Sequence, residues 1–166
     1  ITFDPLSDDT YTNVIFTVTD AATNFTTIDL SGFTVDTVNP IILSNPISLI
    51  NSTRSVTDWV KTGENVKLKF ELSENVSGGQ PSLLDVYLNT GQYGPIGASG
   101  VTPVTNTITI TREQVDSNKW EAIYNCSGGD TEGLVYYEII YKDLAGNSGQ
   151  TVKGSTGLQF DRTPPD

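Results

Sequence analysis

The sequence predicts an all-β fold, an antiparallel β-sandwich. Two observations carry that expectation. Thr, Ser, Asn, Gly and Val are abundant while strong helix formers are scarce, a composition that favours strands and turns. Apolar residues also alternate with a period of two in stretch after stretch, each bounded by Gly, Pro, Asn or Asp. A third feature sets the domain plan: one ending occurs twice. Asp20–Pro40 reads "DAATNFTTIDLSGFTVDTVNP" and Asp143–Asp166 reads "DLAGNSGQTVKGSTGLQFDRTPPD". Asp143 stands 123 residues after Asp20, and Asp161 stands 125 after Asp36, so the copies differ by two residues inserted in the turn-rich stretch. A period of about 125 residues is too long for a solenoid unit and fits a whole sandwich domain.

The elements follow in order. "VIFTVTD" (14–20) matches "YEIIYKD" (137–143) in alternation, so residues 1–38 read as the last two strands of one unit and 39–166 as a complete second. In the complete unit, "PIILSNPISLI" (40–50) is broken by Pro46, as an edge or sheet-switching strand is. "NVKLKFELSE" (65–74) places Val66, Leu68, Phe70 and Leu72 on one face and Lys67, Lys69 and Glu71 on the other. "LLDVYLN" (83–89), "VTNTITITR" (104–112), "KWEAIYNCS" (119–127), "LVYYEIIYKD" (134–143) and "GLQFD" (157–161) complete about seven strands. The stretch from 91 to 100 holds too many glycines for regular structure. "TREQVDSN" (111–118), with its Thr-x-x-Gln start, is the single candidate helical turn.

Charge and chemistry exclude several function classes. The net charge is −11, from 20 acidic and 9 basic residues. Phosphate backbones and anionic lipid would repel such a chain, which argues against nucleic acid, while scattered carboxylates suit hard cations. No apolar run approaches the roughly 18 residues of a membrane span, so membrane insertion is not expected. The chain has no His and one Cys, Cys126. That removes the usual general base, any internal disulfide and a cysteine-based zinc or iron–sulfur site. Only a carboxylate pair remains for catalysis, and nothing places two acids in a cleft, so no enzyme is expected. With no Met, residue 1 is not an initiator, and the chain is expected to be a processed product or a piece of a longer one.

A unit that opens near "VNP", carries "GENVKLKFELSENV" as its second strand and ends "DLAGNSGQ…FDRTPP" resembles the tandem Ig-like repeats of large bacterial surface proteins and adhesins. In that family the strand before the last runs into an Asp-x-x-Gly-Asn turn, and the last strand leads to a Val-Asp-Thr-Thr-x-Pro junction. Asp143, Gly146, Asn147, Asp161, Thr163 and Pro164 occupy the matching places. The first copy departs from it, with Thr23 at the glycine position and "VDTVNP" at the junction. The resemblance implies an Ig-like sandwich, an extracellular or cell-surface location, and partners that are neighbouring Ig-like repeats of the same chain or of adjacent subunits. Junction aspartates of such repeats often hold calcium and stiffen the rod. On that basis Asp20, Asn24, Asp36, Asp143, Asn147 and Asp161 are candidate calcium ligands, with calcium the one candidate cofactor. The same residues equally make ordinary Asx-turns, and no dense DxDxDG loop is present.

Other features have two readings each. Trp59, in "SVTDWVKTGE", is a candidate platform for a glycan or a cell-surface partner, or a loop residue packed on the sandwich end. Trp120 and Cys126 read as core. The glycine-rich stretch reads as a hairpin connection or a binding loop. Sequons at Asn24, Asn51, Asn75 and Asn125 are candidate glycosylation sites that would make the chain a glycoprotein, with Asn51 expected to be the most exposed; so many Ser and Thr also generate sequons by chance. The function expected is a non-enzymatic structural module of a repetitive stalk, adhesin or surface filament. The alternatives are a carbohydrate- or protein-binding domain and a subunit of a strand-exchanged polymer, in which residues 1–38 complete a neighbour's sheet.

Overall fold

The computed structural model describes residues 5–43, 48–56, 58–74, 84–90, 109–112, 118–155 and 157–165. The described residues form strands and turns, with no helix. The chain divides into two compact units, Ile1–Val38 and Asn39–Asp166.

The first unit holds β1 (Asp9–Tyr11), β2 (Val14–Thr19), β3 (Phe25–Leu30) and β4 (Phe33–Val35). β2 and β3 form an antiparallel hairpin, and β1 pairs antiparallel with β4. One register runs through both pairs: Thr19 faces Phe25 next to the turn, and Tyr11 still faces Phe33 at the far end. The Tyr11 and Phe33 rings stack there with centroids 5.3 Å apart. Alternation puts Val14, Phe16, Val18, Ile28 and Leu30 on one face of the hairpin. None of the described residues of this unit is buried; Phe16 and Ile28 are 43% and 53% exposed.

The second unit is a two-layer β-structure. One layer is β5 (Ser48–Asn51), β7 (Asn65–Glu71), β10 (Lys119–Asn125) and β9 (Thr109–Arg112), in the spatial order β5-β7-β10-β9. The other centres on β11 (Gly133–Tyr141). β8 (Leu84–Thr90) pairs along one edge of β11, while β12 (Val152–Gly154) and then β13 (Gln159–Phe160) pair along the other. β6 (Trp59–Val60) lies beside β13.

The pattern read in 65–74 is what the structure uses. Val66, Leu68, Phe70 and Leu72 are at most 1% exposed. Across β10 they join Trp120, Ala122 and Tyr124, and from the second layer Val86, Leu88, Val135, Ile139, Tyr141, Val60 and Phe160 close the core. Each such Leu or Phe stabilises the unit by about 1.5–3 kcal/mol. The outer face is polar, and Lys67 and Lys69 both reach Glu121 on β10 at 2.8 Å. Cys126 is buried in this core, where burial, with Asp130 and Glu64 nearby, pushes its thiol up to about 12. At neutral pH it is a small apolar residue and a poor nucleophile.

Several details differ from the sequence reading. Thr111 and Arg112 continue β9 opposite Glu121 and Trp120 instead of opening a helical turn; 113–117 lie outside the described residues, as do 104–108, the glycine-rich stretch and Asn75. One pairing is parallel: β6 runs alongside β13, Trp59 opposite Gln159. Two residues are too few for any alternation to announce that strand. β12 was hidden because Gly, Ser and Thr around it read as turn. Those residues absorb a change of register: Lys142 faces Ser148 near the turn, but Gly133 faces Phe160, three residues beyond where an even ladder would put it.

The second unit has two distinct ends. The chain enters beside the end of β7: Leu43 N–H donates to Glu71 O, Ser73 N–H to Ile41 O, and Ile42 N–H to the Tyr141 hydroxyl. It leaves beside the start of β11, where Asp161 N–H donates to Val60 O and Val135 N–H to Leu158 O. β7 carries the chain between these ends, and seven residues at about 3.3 Å each separate them by roughly 20 Å.

Candidate functional site

The turn that closes β11 is built by one carboxylate. Asp143 Oδ1 accepts the N–H of Gly146 (2.7 Å) and of Asn147 (2.8 Å), Oδ2 accepts Asn147 Nδ2 (2.7 Å), and Asp143 N–H donates to Asn147 O. Asp143 is 1% exposed. In the first unit the turn between β2 and β3 repeats this pattern. Asp20 Oδ1 accepts the N–H of Ala22 and of Asn24, both at 2.9 Å, Oδ2 accepts Asn24 Nδ2 at 2.9 Å, and Asp20 N–H donates to Asn24 O. The Asn24 amide, with two backbone N–H groups behind it, holds the Asp20 carboxyl below its ordinary value. Each turn needs a left-handed residue three after the aspartate: Gly146 has φ +97°, and Thr23 takes φ +70°. A β-branched residue is strained there and glycine is not.

That difference gives a measurable expectation. A Cβ at Gly146 meets nothing within 4 Å, so Gly146→Thr tests backbone strain alone. It is expected to cost the second unit about 1–2 kcal/mol in denaturant unfolding. Thr23→Gly should slow exchange of the Asp20 amide by a smaller factor, because glycine also loosens the unfolded chain. No change in either measurement would remove strain from the account.

The exit aspartates are used alike. Asp36 Oδ1 accepts Val38 N–H (3.0 Å), and Asp161 Oδ1 accepts Thr163 N–H (2.9 Å), an Asx-turn in each case. A second acid grips the residues that follow. In the first unit Asp8 accepts Thr37 N–H and its hydroxyl, both at 2.9 Å. In the second, Glu132 Oε1 accepts Arg162 N–H (3.0 Å) and the Thr163 hydroxyl. The Thr163 hydroxyl, followed by the Arg162 N–H, keeps the Glu132 carboxyl below its ordinary range. The sequence reading missed this clamp. Its signal was one acid just before the penultimate strand of each copy.

Within each unit the candidate ligands divide between the hairpin turn and the exit segment. Asp20 pairs with Asn24, and Asp143 with Asn147, because each amide closes its own turn. Within the second unit Asp161 sits at the exit, whereas Asp143 follows the far end of β11, so the two belong to opposite ends. What does lie near Asp143 is Glu74, with carboxylate oxygens of the two within 4.8 Å. This pair brings two hard carboxylate oxygens together at the entry end.

No family of known proteins, no characterised protein and no solved structure matches the chain.

Of the sequons, Asn24 and Asn125 are exposed, but Asn51 is fully buried. Its amide donates to Glu64 Oε2 (2.7 Å) and to Trp59 O (2.9 Å), and its Oδ1 accepts Thr53 N–H. The expectation that Asn51 is the most exposed sequon is thus corrected: it organises the loop after β5 from inside. Glu64, 6% exposed, is the hub of that loop and also meets Arg54 Nε (2.7 Å) and Lys61 N–H (3.1 Å). Trp59 is 45% exposed and forms part of a groove of about 420 Å³ at the exit end, with Arg54, Lys61, Arg162, Pro164 and Pro165 among its walls.

Proposed function

We propose that this chain is a non-enzymatic structural module, a segment of a repetitive extracellular stalk, adhesin or surface filament built from Ig-like units. The observation that carries the proposal is the placing of entry and exit at opposite ends of the second unit, with the same acid clamp and Asx-turn on the exit segment of both units. Entry and exit at opposite ends let units follow one another in line, and a clamped linker with Pro164 and Pro165 limits bending.

The strand order supports the Ig-like reading. Lettered in chain order, β5, β7, β10 and β9 are A, B, E and D, while β8, β11 and β12–β13 are C, F and G, the distribution of constant-type Ig domains. β6 beside β13 is then the second half of a split A strand. In the first unit, Val14, Phe16 and Val18 hold the places of Tyr137, Ile139 and Tyr141, of which Ile139 and Tyr141 are core. Residues 1–38 are accordingly the closing strands of a sandwich, completed by strands of a neighbouring repeat or an adjacent subunit. Two strands alone are marginal in water.

Calcium is the proposed ligand of the Glu74–Asp143 pair, its remaining oxygens coming from main chain and water. Two measurements test the whole reading. Scattering from chains lengthened by copies of residues 39–166 is expected to give a maximum dimension that grows in proportion to copy number; growth into a compact globule overturns the stalk. Calcium at about 100 times its Kd is expected to add about 2.7 kcal/mol to the second unit. Glu74→Gln should abolish that gain, and an unchanged melting temperature with calcium and with chelator removes the metal.

A further inference from the structure

The exit groove has a composition at odds with the rest of the molecule. The chain carries 9 basic residues and a net charge of −11, yet three of those nine, Arg54, Lys61 and Arg162, line this one groove. Trp59, 45% exposed, lines the same groove, whereas the second tryptophan, Trp120, is 6% exposed in the core. Burying an indole ring stabilises by a large increment, so one left open on a rigid frame calls for an occupant.

The frame is rigid. Trp59 sits on β6, paired to β13, and its carbonyl is held by Asn51 Nδ2 at 2.9 Å and by Arg54 Nη2 at 3.1 Å. Arg54 is oriented by Glu64 at 2.7 Å. Arg162 donates to Gly128 O and lies 4.0 Å from Glu132. Lys61 is exposed and makes no ion pair among the described residues. The acid that lines the groove, Asp161, is turned to Thr163 N–H by its Oδ1. The groove thus offers a flat aromatic face, a proline wall, one uncommitted ammonium and two guanidiniums fixed by their other bonds.

We propose that this groove is a binding site for an acidic carbohydrate, a sugar chain bearing carboxylates. A pyranose ring lays the apolar face of its C–H groups on the indole, its carboxylate is met by the Lys61 ammonium, and neighbouring hydroxyls accept from Arg54 and Arg162. The volume, about 420 Å³, suits one or two sugar rings. Lys61 selects the acidic member among sugars: Arg54 and Arg162 already have Glu64 and Glu132 beside them, and a neutral ring would leave the Lys61 ammonium without an anionic partner. The assignment does not depend on the stalk reading, since every residue named lies within the second unit.

The test is a titration of the 166-residue chain with a glucuronate-containing tetrasaccharide, followed by saturation-transfer NMR and by tryptophan fluorescence. Trp59 is the accessible fluorophore, so binding is expected to shift its emission. A neutral glucose tetrasaccharide should bind at least about tenfold more weakly, and raising salt from about 50 to 300 mM should weaken the acidic ligand. Lys61→Glu is expected to weaken binding by about tenfold or more, and Trp59→Ala to abolish it, each with unfolding of the second unit otherwise retained. Lys61→Glu alone decides the matter if Trp59→Ala loosens the loop. Absence of binding in the millimolar range overturns the site. Equal binding of the neutral sugar overturns the acidic selectivity, and tighter binding of an oligoglutamate peptide overturns the sugar class.

Discussion

Gly149→Ala is expected to destabilise the second unit by about 3 kcal/mol in denaturant unfolding. A Cβ at Gly149 would lie 2.1 Å from Tyr141 Cε2 and 2.4 Å from Cζ. The ring cannot step aside, because Tyr141 is 2% exposed and its hydroxyl accepts Ile42 N–H at 3.0 Å. The substitution should therefore also raise the exchange rate of the Ile42 amide, since the displaced ring releases the entering strand. The first unit suggests the remedy. At the positions of Tyr141 and Gly149 it has Val18 and Thr26, which face each other across the hairpin. Large-with-nothing in one copy is medium-with-medium in the other. Tyr137 opposite Gly154 shows the same trade, with Val14 opposite Leu30 in the first unit. In both second-unit pairs an aromatic ring of β11 covers a glycine of the segment that follows it. Tyr141→Val combined with Gly149→Thr should consequently be more stable than the sum of the single changes, by about 1–2 kcal/mol of coupling. Strict additivity would mean that the ring and the glycine are independent.

These pairs mark what the sequence could and could not tell. Alternation in 65–74, 119–127 and 134–143 was legible because each strand has one face in the core, so period two is forced by burial. β6 and the parallel pairing were not legible, because two residues carry no period and β6 is positioned by a partner a hundred residues away. The duplicated aspartate turn was legible as a motif, and its hydrogen bonds repeat between copies. Its grouping with Asp161 was not: a turn and an exit at opposite ends of one hairpin look adjacent in a motif list. Asn51 misled for a related reason. Asn-Ser-Thr looks like exposed loop, but the buried carboxylate of Glu64, thirteen residues away, recruits its amide. A buried polar network depends on which groups meet, and spacing alone does not specify that.

Glu64 gives the second large effect. Glu64→Leu is expected to cost about 3 kcal/mol, because it takes one acceptor from the buried Asn51 Nδ2, which keeps Trp59 O, and the acceptor from Lys61 N–H. Arg54, with 47% of its side chain exposed, is rehydrated and contributes little to that loss. Glu64→Gln keeps the shape and an acceptor, so it should cost roughly half as much. The two roles of the carboxylate separate with pH. Burial opposes its charge, but Lys61 N–H, Arg54 and the Asn51 amide outweigh burial and hold its pKa below the ordinary 4.5. A depressed pKa stabilises the fold at pH above 4.5 and loses that contribution as pH falls through the folded-state value. Glu121 acts in the same direction, held down by Lys67 and then Lys69. Unfolding free energy of the second unit should therefore drop on acidification below about pH 4.5, with Glu64→Gln flattening part of the slope and Glu64→Gln with Glu121→Gln more of it. A wild-type slope retained by the double variant would assign the acid sensitivity to other carboxylates and leave Glu64 as a hydrogen-bond acceptor whose charge is irrelevant to stability.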